Sequence, residues 1–390
     1  MEQKQNTSRP VDVTKKDRLS GIKAFLKKRP KKKEFLTFLA IAGGVLLAGS
    51  AAAFTLIDNP VEEPEEPVVV STYVAPPPEF YSPLTGILTD EASSKRPVTA
   101  VMIENSIDAR PQSGLQEAGI VYEAIAEGGI TRFLAVYQEA KPGNIGPIRS
   151  ARPYYVRWAA GYDARYLHSG GSGEALALIQ ALGIKDMDHG RYSDRVASRV
   201  SSRYAPHNVY TSMDRIDALG NELGFTTSEY TPFARKKVVE KKEVVVDPAA
   251  TPAEPAAPAT YTATKINFDI SGANYNTSYT YDPTTNTYAR VMAGRPHTDQ
   301  DSGKQITPTV VIALQMAYSI NPNGIHSVYQ NVGTGEALIF QDGMVIKATW
   351  SKSSDKASLE LKDANGKPVE LNAGQTWITA IPPGRTTYAP

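Results

Sequence analysis

Three polar, glycine-bearing strings hold most of the side chains in this sequence that are suited to chemistry. They are Glu127-Gly-Gly-Ile-Thr-Arg132, Ile145-Gly-Pro-Ile-Arg-Ser-Ala-Arg-Pro153 and His168-Ser-Gly-Gly-Ser-Gly-Glu174. Arg132, Arg149 and Arg152 offer planar donors that match the oxygens of a carboxylate or phosphate. Gly170, Gly171 and Ser172 lead into a helix start, whose free N–H groups and dipole favour an anion. The strings together predict an anion pocket whose ligand-binding residues are Arg132, Arg149, Ser150, Arg152, Gly170, Gly171 and Ser172. The competing reading is a set of tight turns with the arginines paired to Glu127, Asp163 or Glu174, because turns need glycine whatever the function.

For proton transfer the candidates are Glu127, His168 and His207. Ser150, Ser169 or Ser172 would be the nucleophile of a covalent mechanism. The sequence holds no Gly-x-Ser-x-Gly elbow and no His-Glu-x-x-His helix. Asp186, Asp188 and His189 have ligand-type side chains without a recognised spacing, so neither a metal nor a cofactor is expected. For each histidine the default is a hydrogen-bonded structural role. His297, close to Asp299 and Asp301, reads as part of a polar loop.

The elements that must position these groups are legible as short apolar runs. Val98–Ile103, Gly119–Ala126 and Thr131–Tyr137 are of strand length, and such runs are typical of sheets covered by helices. Ala151–Ala160 and Gly173–Gly183 have helical spacing, the second with Ser172 before it and Glu174 in its first turn. Residues 80–235 therefore read as an α/β domain. In such sheets ligands sit outside the carboxyl ends of the strands, where the three strings fall. Residues 261–390 read as mostly β. Ile266-x-Phe268-x-Ile270 and Tyr275–Tyr281 alternate, Glu336–Trp350 is a hairpin turning at Asp342-Gly343, and Ala364–Lys367 marks a second turn. The fold class expected is α+β, an α/β domain followed by a mostly β one. Residues 236–260 form a Lys/Val then Pro/Ala linker between them.

Ahead of these domains lies a run of 23 residues without a charge, Phe35–Ile57. At about 1.5 Å per residue it spans roughly 35 Å, enough for a hydrocarbon core of about 30 Å. Residues 1–33 carry 12 Lys and Arg against three acids, and the rest of the chain has 30 basic and 38 acidic residues. A basic flank stays cytoplasmic, so the expected layout is a cytoplasmic tail (1–34), one membrane helix (35–57), a Pro/Glu-rich stalk (58–79) and extracytoplasmic domains. Small residues at Gly49–Ala53 leave a cleaved signal peptide as the alternative. The tail suits an anionic inner leaflet, and the acidic remainder gives no signal for specific nucleic-acid binding. Cysteine is absent, which excludes disulfides, thiolate catalysis and a cysteine-linked lipid.

From Tyr81-Ser-Pro-Leu-Thr-Gly86 to Trp377 the chain resembles the YerB-type family of bacterial cell-envelope proteins. The strings that carry this include Ala109-Arg-Pro-Gln-Ser-Gly-Leu115, Glu127-Gly-Gly-Ile-Thr-Arg-Phe133, Ile145–Tyr154, His168-Ser-Gly-Gly-Ser172 and Ala205-Pro-His-Asn-Val-Tyr210. Asp342-Gly343, Thr349-Trp350 and Thr376-Trp377-Ile378 follow in the second domain. The resemblance implies two domains and an envelope location, and little about function. Typical members look like lipoproteins with an acylated cysteine, a residue this chain lacks, so the helix is expected to be its anchor. A fainter similarity of layout is to the LytR-CpsA-Psr wall-glycan transferases, without their acidic and arginine signature. The expected function is binding of an anionic envelope ligand, wall-derived or lipid-linked. One alternative is an enzyme acting on wall glycan or lipid-linked precursors at the same pocket. The other is a scaffold that meets a protein partner through tyrosine-rich edges such as Tyr275–Tyr281.

Overall fold

The computed structural model describes residues 79–237, 262–322 and 324–390. The basic tail, the apolar run 35–57, the stalk to residue 78 and most of the 236–260 linker lie outside the described residues. No helix among the described residues is long and apolar enough to cross a membrane.

Apolar runs that alternate or stay buried throughout become strands here. In the first half these are β1 (Thr99–Glu104), β2 (Ile120–Glu127), β3 (Ile130–Tyr137), β4 (Arg165–Leu167) and β5 (Lys185–Asp186). In the second half they are β6 (Lys265–Phe268), β7 (Thr277–Asp282), β8 (Thr287–Met292), β9 (Arg295–Pro296) and β10 (Val310–Gln315). They continue with β11 (Gly333–Gln341), β12 (Met344–Lys352), β13 (Glu360–Lys362), β14 (Thr376–Ile381) and β15 (Thr386–Ala389). Three longer helices complete the frame: α1 (Pro153–Ala160), α2 (Gly173–Leu182) and α3 (Met213–Glu222).

The first half is a mixed sheet with helices and the second is largely β, so the fold is α+β as expected. One sheet, however, runs through both halves. Its order is β13-β12-β11-β10-β14-β2-β3-β1-β4-β5. The last long strand of the chain, β14, inserts in parallel between β10 and β2, with Trp377 opposite Val121 and Ile378 opposite Tyr122. A second sheet, β9-β8-β7-β6-β15, belongs to the second half alone.

The main sheet is covered on both faces. On one face Tyr154, Tyr155 and Trp158 of α1 meet β2 and β3: the Tyr155 hydroxyl donates to the Arg132 carbonyl at 2.6 Å and accepts from the Ala124 amide at 3.1 Å, and Trp158 stacks on Tyr122 with ring centres 4.9 Å apart. On the other face the second sheet packs, Phe268 and Tyr388 against Phe340. This is the burial that a sheet read as apolar on both faces requires.

Turn chemistry agrees with the sequence. Asp342 and Gly343 have φ of 56° and 68° and close the β11–β12 hairpin between the paired residues Gln341 and Met344. Ser172 caps α2 by accepting from the Ala175 amide at 3.3 Å, and Gly183 ends it in the left-handed region. The tyrosines of β7 do not form an exposed edge, since Tyr279 and Tyr281 face the core. A scaffold reading loses that contact surface.

Candidate functional site

Strands β1, β2, β4 and β5 all run in the same direction, because β1 and β4 are parallel, β4 and β5 are parallel, and β3 is antiparallel to both β1 and β2. Their carboxyl ends bring Glu104, Glu127, His168 and Asp186 to one edge. The three polar strings meet there.

At the centre is Glu127. Gly128 and Gly129, both at positive φ, make the two-residue turn that returns the chain into β3, so these glycines are required by the hairpin. The turn sets Arg132 beside Glu127, and the start of α1 brings Arg152 to its other oxygen. Arg132 Nη2 donates to Glu127 Oε1 and Arg152 Nη2 to Oε2. The remaining terminal nitrogens donate to the carbonyls of Ser150 at 2.9 Å and Ala151 at 2.7 Å. Both arginines are buried. Burial pushes the Glu127 carboxyl up, but Arg132 and Arg152 more than offset it and hold it below its ordinary value. Burial, with Arg152 alongside, also lowers Arg132. Arg132 and Arg152 thus already hold an anion, and it belongs to the protein. The turn reading of these two arginines is the one the geometry follows.

Arg149 is different. Its guanidinium makes no hydrogen bond among the described residues. Its Nε is buried 3.3 Å from Glu104 Oε1 without the geometry of a bond, and its side chain is 27% exposed. Glu104 ends β1 and is itself buried. Its Oε1 accepts from Ser106 Oγ at 2.9 Å and lies 3.0 Å from His207 Nδ1. Its Oε2 is buried and unpartnered. His207 therefore presents Nδ1 to a carboxylate and leaves Nε2 without a partner among the described residues. A carboxylate on one ring nitrogen fixes the ring's orientation and tautomer. Sequence reasoning missed Glu104. A carboxylate closing an otherwise apolar strand was the signal available.

The third string is used internally. The Gly170 amide donates to Asp188 Oδ1 at 2.8 Å, and the Gly170 carbonyl accepts from the Ala151 amide at 2.9 Å. A Cβ at Gly171 would press on Leu176 and Ala151 at 3.1 and 3.3 Å, so glycine there permits close packing. Ser172 caps its own helix. His168 is fully buried, with Nδ1 2.9 Å from the Gly170 carbonyl and Nε2 3.0 Å from Asp186 Oδ1. With both nitrogens on protein acceptors, it holds the loop to β5 and leaves the set of reacting groups. Ser150 contributes its carbonyl to Arg132 rather than to a ligand. Among the described residues, no group of three His, Cys, Asp or Glu side chains is placed to hold a metal.

A second polar cluster lies under the main sheet, and the sequence reading passed it over. Glu123 of β2 and Arg290 of β8 are both fully buried and bonded at 2.8 Å. The Arg290 guanidinium lies 4.1 Å from the centre of the Trp377 ring, and its Nε donates to His297 Nδ1 at 2.9 Å. His297 Nε2 then reaches Gln112 Oε1 at 3.1 Å, and Gln112 Nε2 donates to the Glu104 carbonyl at 2.9 Å. His297, expected in a polar loop of the second domain, is thus a buried link between the halves. Arg290 was detectable as a charge on the inward phase of an alternating strand, between Tyr288 and Met292.

Two family models match the chain. "Protein of unknown function (DUF3048) N-terminal domain" covers residues 84–226, and the corresponding C-terminal domain covers 265–378. A Bacillus subtilis (strain 168) protein described as "Putative lipoprotein YerB" is 30% identical over 303 residues, which is 77% of this chain and 86% of the relative. The chain belongs to the DUF3048 family. The crystal structure of YerB from Bacillus subtilis superposes with a TM-score of 0.69 at 28% identity, covering 80% of this chain and 100% of the other. Both DUF3048 halves are present in order, and in this member hydrogen bonds of the main sheet join them.

Proposed function

We propose that this DUF3048 protein is a membrane-anchored extracytoplasmic protein that binds an anionic envelope ligand at Arg149 and His207. Its membrane association is supported by the lipoprotein description of its YerB relative. The 23-residue apolar run behind a basic tail supports a single helix as the anchor, in a chain without cysteine. The observation that carries the ligand reading is Arg149. Alone among the three arginines of the strings it has both terminal nitrogens unpartnered among the described residues, at the edge where the parallel strands end. A phosphate or carboxylate bridging the Arg149 guanidinium and the His207 ring would satisfy both groups. Arg132 and Arg152 supply one net positive charge behind it, after Glu127.

The test is a thermal-shift titration with pyrophosphate and with a carboxylate-bearing muropeptide. At a hundredfold excess over Kd the melting temperature should rise by about 2 °C or more. Arg149→Ala should weaken the binding by about tenfold or more while melting normally without ligand. An unchanged affinity in that variant rules out the site.

The His207–Glu104 pair supports a second reading, an enzyme acting on wall glycan or lipid-linked precursors. His207 Nε2 would be its general base and Glu104 the residue that positions it. Glu104→Gln should then lower turnover and shift its pH profile. Loss of turnover with an unmoved profile would mean that Glu104 serves the fold alone.

A further inference from the structure

Beside the loop that leaves the end of β1, a groove of 580 Å³ opens between the two halves of the molecule, walled by Ile107, Arg110 and Pro111 on one side and by Met292, Arg295 and Thr298 on the other. A second lobe of 450 Å³ shares Arg110 and Pro111 and extends past Asn144, Arg203, Tyr210 and Gln300. Each lobe lies in the size range of a specific small-ligand site, about 300–1,000 Å³.

Arg110 stands at the junction. Its Nε and Nη2 donate to Asn105 Oδ1 and to the Asn105 carbonyl, both at 3.0 Å, and its guanidinium lies 5.1 Å from the Tyr275 ring centre. Those contacts fix the plane of the fork and leave Nη1 unpartnered among the described residues. Each lobe has an arginine of its own, the exposed Arg295 in one and in the other Arg203, which donates to the carbonyls of Asp108 and Pro111 and contributes its charge alone; the lobes together have one lining carboxylate, Asp108. The balance of charge selects an anion. The walls refine the choice. Ile107 and Met292 offer apolar surface for methylene groups, and Asn274, Thr298 and Gln300 offer amides and a hydroxyl suited to peptide groups. A bare phosphate would leave the apolar walls uncovered.

We infer that this two-lobed groove is a peptide site that takes an extended acidic segment, with one carboxylate on Arg110 and a second on Arg295. Arg149 does not line this groove, and binding there would clamp the two halves together across the buried Arg290–His297–Gln112 chain.

The experiment is fluorescence anisotropy of the full-length chain in detergent with a labelled Glu-Leu-Glu-Leu-Glu peptide, and with Gln-Leu-Gln-Leu-Gln as its neutral counterpart. The acidic peptide should bind saturably and about tenfold or more tighter than the neutral one. Arg110→Gln should weaken it by a similar factor. Because Arg110 also holds Asn105, the exposed Arg295→Glu provides a variant free of folding effects, and it too should weaken binding severalfold. Absence of saturable binding, equal affinity for the two peptides, or an Arg295→Glu protein that binds like the parent would each overturn the assignment.

Discussion

An Arg290→Met protein should unfold with about 3–5 kcal/mol less free energy than its parent, measured by urea denaturation followed by circular dichroism. Arg290 and Glu123 are both fully buried, and their bond joins a strand of the second sheet to a strand of the main one. Removing the guanidinium leaves the Glu123 carboxylate in the core with only Thr131 Oγ1 at 3.2 Å and Trp377 Nε1 at 3.2 Å. Two neutral donors do not replace a cation in a medium that solvates charge poorly. The same change strips His297 Nδ1 of its donor and Trp377 of the cation over its ring. A Glu123→Leu, Arg290→Met double variant should recover much of the loss, because an apolar pair of similar size removes the unpaired charge. Should the double variant be as unstable as the single one, packing around Arg290 rather than its charge would be the source of the effect.

The second expected result concerns acid. Burial, and then the positive charges of Arg290 and Arg110, push the His297 imidazole well below its ordinary 6.5. The ring is held neutral, with Nδ1 accepting and Nε2 donating. In the unfolded chain the same ring takes a proton near pH 6.5, so below that pH the unfolded state binds the extra proton and gains on the folded one. The contribution to stability is complete above about pH 6.5 and is lost at about 1.4 kcal/mol per pH unit as the pH falls towards the folded value. Urea midpoints measured from pH 7.5 to 5 should show this slope, and His297→Gln should flatten it. His189 is also lowered, by partial burial and by Arg199, and adds a smaller slope of the same sign, so His189→Asn is the matching control. The carboxylates with lowered values, Glu127 among them, act below their ordinary range, whereas Glu117 is raised above 4.5 by burial and by Asp299 and Asp301 and adds a slope of opposite sign at the acid end of the window, so Glu117→Gln is a second control. Equal pH slopes in the parent and in His297→Gln would show that the ring does not titrate as its burial implies.

Local structure was legible in the sequence because local chemistry decides it. Ser172 and Gly183 bracket α2 as capping rules require. Asp342-Gly343 turns its hairpin, and Ile266 and Phe268 bury the alternate residues of β6. The convergence of three polar strings on one edge followed from strand direction. What the sequence did not disclose is which partner each group finds. Arg132 meets Glu127 five residues away, across a tight turn that the glycines announce. Arg152 comes to the same carboxylate from 25 residues away, and only the packing of α1 decides that. The Gly170 amide, expected to face an anion, is taken by Asp188, a contact between two loops. His297 reads in the sequence as part of a polar loop because its partner Gln112 is 185 residues distant. No periodicity in either segment reports that contact.

The position of β14 bears on how such a chain can be divided. A fragment ending at residue 237 would keep β2 and lose the strand beside it. Ile120–Glu127, buried along nearly its whole length, would become a bare sheet edge with a row of unpaired amides and carbonyls. A fragment of the second half alone would expose the matching side of Thr376–Ile381. Each piece would be sticky on its own, and the two edges are complementary to one another in parallel register. Supplied together as separate chains they should reassemble, which makes the segment between residues 238 and 261 the natural place to cut this protein and the β2–β14 seam the place where it heals.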